Sequence, residues 1–191
     1  MNLPPHIQGL VFDCDGTIAD TMPLHQKAWE AACARYGHEF PWELHVKYAG
    51  VPTLRIMEIL NAEYGYRLPL PEAAELKERL FLDHLPEVRP IEPVVRYVRH
   101  YADRLPIALA TGGNRTNCTA ILEALGLLHR FKALVTADDV PRGKPAPDIY
   151  LRAAELIGVP PERCAAFEDA EMGLQAARAA GMHVIDIRPM R

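Results

Sequence analysis

Leu10-Val11-Phe12-Asp13-Cys14-Asp15-Gly16-Thr17 decides how the rest of the chain is read. The run from Ile7 to Phe12 shows no alternation of polar and apolar positions, which predicts a strand buried on both faces. It ends abruptly in two carboxylates and a glycine. The C-terminal tip of such a strand is where an open α/β sheet places its ligand. In extended chain Asp13 and Asp15 would point the same way and Cys14 elsewhere, and Gly16 lets the backbone turn sharply. Two carboxylates ~4 Å apart repel by about 4 kcal/mol at an effective dielectric of ~20, which a bound cation or a shared proton relieves. Three readings compete. A calcium loop of the EF-hand type needs flanking helices and a bidentate Glu at its twelfth position; here a strand precedes and that position is Leu24. A solvated acidic turn leaves the partners found downstream unexplained. The third reading is an aspartyl nucleophile beside an acid/base aspartate on a magnesium ion.

Composition narrows the classes. A chain of 191 residues, 49% hydrophobic and 24% charged, is long enough for one good core plus an appendage. Its net charge of −4 comes without a basic cluster, so the positive footprint that nucleic acid requires is missing. Cys14, Cys33, Cys118 and Cys164 form no CxxC and no Cys/His cluster, which suggests neither a zinc site nor a disulfide framework. Free thiols fit a reducing cytoplasm. Met1 to His6 has neither the basic nor the apolar region of a secretion signal, and no run approaches 18 apolar residues. A cytoplasmic protein without membrane or nucleic-acid partners is expected.

Apolar spacing predicts four helices between Thr21 and Leu85: Pro23 to Gly37, Trp42 to Tyr48, a third carrying Leu54, Met57, Leu60 and Tyr64, and a fourth from about Pro71 to Leu85. This block is too small for a comfortable core of its own. After the proline-rich boundary Pro86 to Pro90, helices and strands alternate. Helices are predicted over Pro93–Tyr101, Thr116–Leu125, Asp148–Ile157 and Ala170–Ala180. Strands are predicted over Pro106–Ala110, Ala133–Thr136, Cys164–Phe167 and Val184–Ile187. Such alternation implies right-handed βαβ units and a parallel sheet with helices on both faces. The first strand belongs to that sheet. The chain therefore divides into a core, 1–20 and 86–191, and a four-helix cap, 21–85, inserted after strand 1. Leaving from a strand tip, the cap hangs over the active edge as a lid hinged at Ile18–Thr21 and Pro86–Pro90; a fixed packing domain is the plainer alternative.

Three further strand tips carry chemistry. Thr111-Gly112-Gly113-Asn114 leads into a helix; taken alone it reads as a simple strand-to-helix turn, but a hydroxyl, two glycines and a helix N-terminus together can make an anion pocket. In Gly143-Lys144-Pro145-Ala146-Pro147-Asp148 the prolines fix the backbone and hold the ammonium in a set direction. Glu168 and Asp169 follow the strand Cys164 to Phe167, where acids are expensive unless paired or on a metal; Asp169 as a helix N-cap is the bland reading. Four pieces from distant parts of the chain thus converge on the rim of one sheet.

Asp13-Cys14-Asp15-Gly16-Thr17 also resembles the DxDGT signature of the haloacid-dehalogenase-like (HAD) phosphohydrolases, whose core is Rossmann-like. The likeness spans nearly the whole chain. The tail from Glu168 to Met182 is similar to the β-phosphoglucomutase-like branch and its small fructose-1-phosphate phosphatases. The resemblance implies Mg²⁺ on Asp13, Asp169, the backbone carbonyl of Asp15, and Glu168 directly or through water. It makes Asp13 the nucleophile and Asp15 the acid/base. It assigns the phosphoryl group to Thr111, the Gly112 N–H and Lys144, with Gly113 and Asn114 alongside. In the cap it points to His25, Thr53, Arg55 and Lys77 as substrate-binding residues, with a solvated charge the other reading of Lys77, and to Trp29 with a core role equally open. Dehalogenases of the superfamily lack the second aspartate and phosphonatases replace it, so Asp15 argues for phosphoryl transfer. A sugar phosphomutase is the close rival. Such enzymes carry a cap arginine shortly after Gly-Val, whereas Gly50-Val51-Pro52-Thr53-Leu54-Arg55 has Thr53 there and Arg55 two residues on. A monomeric phosphatase acting on a small ester such as fructose 1-phosphate or 6-phosphogluconate is expected. A binding protein that kept only the fold would not need every polar position filled.

Overall fold

The computed structural model describes residues 3–48 and 51–190, so Gly50 lies outside the described residues. Strand β1 covers Gly9–Phe12. It is shorter than the apolar run because Ile7 turns back to donate its N–H to the Pro4 carbonyl at 3.1 Å. Strands β4 (Ile107–Ala110), β5 (Ala133–Val135), β6 (Cys164–Glu168) and β7 (His183–Asp186) join it in a parallel sheet of order β5-β4-β1-β6-β7. β1 is central, with Phe12 level with Leu109 on one side and Phe167 on the other. Its tip therefore adjoins the tips of β4 and β6.

The residues of the three inner strands β1, β4 and β6 are buried on both faces, and the period of two decides which helical layer each one meets. Leu10, Phe12, Leu109 and Phe167 pack on the side of α5 (Glu92–Tyr101) and α6 (Arg115–Ala124). Val11, Ala108, Ala110 and Ala166 pack on the side of α7 (Asp148–Ile157) and α8 (Glu171–Ala179). The Phe12 and Phe167 rings stack at 4.4 Å across neighbouring strands.

Between β1 and the rest of the sheet lie α1 (Met22–Ala34), α2 (Trp42–Lys47), α3 (Thr53–Glu63) and α4 (Glu72–Asp83). They enclose their own apolar cluster, with Trp29 stacked on Phe40 at 4.6 Å and Met57 and Leu60 fully buried. The two stems differ from the flexible linkers expected. Ala19–Asp20 (β2) and Arg89–Pro90 (β3) pair antiparallel, and Ile91 N–H donates to the Ile18 carbonyl at 2.8 Å. A two-residue ladder carries no periodicity by which it could be read from the residues alone. Among the described residues no helix is long and apolar enough to cross a membrane.

All four cysteines are free and buried. Burial pushes the Cys33 and Cys164 thiols up to about 12 and Cys118 to about 11, so none is a thiolate near neutrality. Native protein at pH 8 is expected to show no fast thiol towards a disulfide reagent, and four after denaturation. One equivalent reacting within seconds in the native state would contradict this packing.

Candidate active site

Gly16 turns the chain at the end of β1 with φ +80°, a conformation open to glycine. The two aspartates that extended chain would have aligned meet different partners. Asp13 points to the core: Lys144 Nζ donates to its Oδ1 at 2.7 Å. Asp15 points to the cap, where its Oδ1 accepts from the Thr21 hydroxyl at 2.6 Å and lies 3.1 Å from His25 Nε2. The Asp15 carboxylate lies outside the acidic cluster described below, and the metal role expected of Asp15 is through its backbone carbonyl.

Lys144, ahead of α7, reaches two acids at once. Besides Asp13 it donates to Glu168 Oε1. Glu168, at the tip of β6, is fully buried and saturated: Oε1 also accepts from Tyr150 OH at 3.1 Å, and Oε2 accepts from the N–H groups of Asp169 and Ala170 at 2.8 and 2.9 Å. Asp169 accepts from the Thr17 hydroxyl at 2.8 Å. Ligand oxygens of Asp13, Glu168 and Asp169 all lie within 4.8 Å of one another. Burial raises the Asp13 pKa, Lys144 opposes that, and Glu168 and Asp169 raise it further. Burial would strip the proton from Lys144, but Asp13 and Glu168 more than restore it, so the ammonium stays charged. Oxygen-only donors around a negative excess suit a small hard divalent cation such as Mg²⁺.

Thr111, at the tip of β4, is 1% exposed, and its Oγ1 accepts from Gly113 N–H at 3.1 Å. Asn114 caps α6, its Oδ1 accepting from Asn117 N–H at 2.8 Å. The loop closes on the first motif: a Cβ on Gly113 would stand 3.4 Å from both Asp15 Oδ2 and Thr111 Oγ1. Glycine is needed more strictly at Gly173 in α8, where a Cβ would overlap the Glu168 carboxylate. Gly173→Ala is expected to push Glu168 off Lys144, costing about 2 kcal/mol through overpacking and at least tenfold in kcat. A melting curve and turnover both matching the wild type would show that Glu168 has room to move.

The cap covers these groups with a cavity of about 620 Å³ whose lining includes Asp13, Asp15, His25, Thr53, Lys77, Glu78, Thr111, Lys144 and Asp169, a size suited to a small ligand. Lys77, a residue whose type usually stays in solvent, is 2% exposed and lies 3.1 Å from His25 Nδ1. The chain Lys77–His25–Asp15 thus links the cap to the first motif. With burial raising it and His25 and Thr21 lowering it, Asp15 settles at about 2. Trp29 lines the cavity and is also part of the cap core. Arg55 is elsewhere: it pairs with Glu58 at 2.8 Å on the outer surface and is not in the lining. Four participants escaped the sequence reading, namely Thr21, Glu78, Asn117 and Tyr150. Tyr150 is six residues after Lys144 on a helix whose direction was legible; Glu78 beside Lys77 gave no signal.

The model of the haloacid dehalogenase-like hydrolases matches residues 7–181. A fructose-1-phosphate phosphatase, YqaB of Escherichia coli (strain K12), is 41% identical over 184 residues, covering 94% of this chain and 96% of that protein. A phosphorylated carbohydrates phosphatase of Thermotoga maritima is 32% identical over 183 residues, covering 94% and 84%. Among solved structures, CbbY from Rhodobacter sphaeroides in complex with phosphate superposes with a TM-score of 0.85 at 29% identity, over 94% of this chain and 85% of that one. A mutant of the same protein was solved with xylulose-(1,5)bisphosphate, with the same TM-score. With a family match across most of its length and phosphatases as near relatives, the chain belongs to the haloacid dehalogenase-like hydrolases and is a phosphoric monoester hydrolase.

Proposed function

We propose that this enzyme hydrolyses a small sugar monophosphate, of the fructose 1-phosphate or 6-phosphogluconate type, through a phosphoryl-aspartate on Asp13. The observation that carries the reading is the buried Asp13 carboxylate, held 2.7 Å from Lys144 beneath the cap cavity. An Asp13 oxygen attacks phosphorus and the ester P–O bond breaks; Asp15, an anion in the free enzyme, takes up a proton with the substrate and passes it to the departing alkoxide. Asp15 then accepts a proton from water, whose oxygen attacks the same phosphorus and releases inorganic phosphate and free Asp13. Thr111, the Gly112 N–H and Lys144 balance the charge on the phosphoryl oxygens. Gly113 lets that loop come close to Asp15, and Asn114 fixes the helix entrance. Asp13 and Asp169 would hold Mg²⁺, which supplies electrostatic neutralisation of the transferring group. Glu168 already has four donors on its two oxygens, which favours contact through water. His25 and Lys77 position Asp15 from the cap. The division into core (1–20, 86–191) and cap (21–85) assigns chemistry to the first and leaving-group selection to the second. The four buried thiols fit a cytoplasmic setting.

The rival phosphomutase reading needs the cap arginine of that branch for a second phosphate; Thr53 stands in its place and donates to Glu78, and Arg55 pairs with Glu58 outside the cavity lining. Phosphate release from fructose 1-phosphate should be lost in excess chelator and restored by Mg²⁺. Isomerised sugar phosphate without free phosphate from β-glucose 1-phosphate would favour the mutase, and inactivity over a broad ester panel would end the proposal.

A further inference from the structure

Glu78 occupies a position that the reaction itself does not explain. It projects from α4 into the cavity, with its side chain 23% exposed. Donors reach it from both sides of the cap–core boundary. From the core, Asn114 Nδ2 donates to Oε2 at 3.0 Å and Asn117 Nδ2 donates to the same oxygen. From the cap, the Thr53 hydroxyl and Lys77 Nζ, the latter at 3.2 Å, donate to Oε1. Burial would raise its pKa, but Lys77 and the Thr53 hydroxyl bring it below the ordinary glutamate value, so the group is an anion at neutral pH.

Four donors fill the lone-pair sites of a carboxylate. Glu78 therefore has little left with which to grip a sugar hydroxyl, and it is pinned so that it cannot swing away from what enters. Its remaining influence on a substrate is its charge. The amides and hydroxyl around it carry no charge, and the cation it pairs with, Lys77 at 3.2 Å, is shared with His25 and thereby with Asp15. Asp13, Thr111 and Lys144 anchor the phosphoryl group at the core end, so the far end of a substrate lies against the cap wall.

We infer that Glu78 is a specificity-determining charge: it makes the cap wall reject a second phosphate, so that this enzyme takes sugar monophosphates and discriminates against bisphosphates. The inference rests on the phosphatase reading above and deepens it. A neutral polyol end meets no penalty there, whereas a phosphate dianion meets a fixed like charge in a partly desolvated site, a form of selection by repulsion. Arg79, exposed at the cavity edge, is the cation that would oppose this.

The test is kcat/KM for fructose 1-phosphate and fructose 1,6-bisphosphate in the wild type, Glu78→Gln, Glu78→Asp and Arg79→Ala. The expected wild-type preference for the monophosphate is about 100-fold, narrowing about tenfold or more in Glu78→Gln and retained within about threefold in Glu78→Asp. In the wild type alone, raising salt from 0.05 to about 0.5 M should narrow the ratio by screening, a readout that needs no variant to fold. Equal use of both esters by the wild type, an unchanged ratio in Glu78→Gln, or equal loss in Glu78→Asp overturns the inference. So does a bisphosphate preference that Arg79→Ala removes. Release of phosphate from neither ester overturns the fructose 1-phosphate reading and this inference with it.

Discussion

Replacing Asp13 by asparagine is expected to lower the rate of phosphate release by about four orders of magnitude or more, to the background of the assay. The amide has the shape of the carboxylate, so the cavity and the sheet survive. What changes is that the carboxamide oxygen is a poor nucleophile and that Lys144 loses one of the two anions it sits between. The structure makes this a clean test, because Asp13 is 6% exposed and, among the described residues, no other carboxylate oxygen has both the Lys144 contact and the strand-tip position of β1. Acid-quenched protein from a reaction with radiolabelled substrate should carry label in the wild type and none in Asp13→Asn. Appreciable turnover in the variant would refute the nucleophile assignment, whatever the label shows.

The second large effect is on folding. Lys144→Met leaves Asp13 and Glu168, both buried, without their shared counter-ion, while Asp169 adds a third acid within 4.8 Å. Removing one partner of a buried charge cluster costs about 3–5 kcal/mol, which for a chain of this size lowers Tm by roughly 10 °C. Turnover should also fall by at least about a hundredfold, since the phosphoryl oxygens lose a cation. Added Mg²⁺ should recover part of the lost Tm by binding the folded state, without recovering the rate. A melt within about two degrees of the wild type in chelator would mean that the acids protonate freely and that Lys144 does not hold the cluster together.

Much of the catalytic edge was legible in the chain because each motif is local. Phe12 to Gly16, Ala110 to Asn114, Gly143 to Pro147 and Phe167 to Ala170 each read as an apolar or proline-fixed segment ending in polar groups. In a parallel sheet such ends must lie on one rim. The cap was legible by contrast, as helical periodicity with no strand. The cap contacts were not. Arg55 was placed near the substrate from spacing alone, yet a shift of two residues on α3 turns a side chain by about 200°, and Glu58 one turn along the surface gives it a partner there. Lys77 and Trp29 were ambiguous because a buried lysine and a solvated one look alike until His25, Glu78 and the Trp29 ring are seen around the ammonium.

By itself, then, the order of residues determined the parallel sheet with helices on both faces, since period, turn chemistry and chain direction are properties of neighbouring residues, and it set the expectation of where the cap enters and which side chains meet at the strand tips. Only the tertiary structure decided where the two aspartates of the first motif point. Asp13 goes to Lys144 and Asp15 to Thr21 and His25, because the partners that separate them come from residues 131 positions away in one case and from the first cap helix in the other. The same holds for Glu78, whose charge gains meaning from Asn114 and Asn117 across the boundary. Electrostatic energy depends on distances through space, and distances of that kind are set when the cap closes on the core.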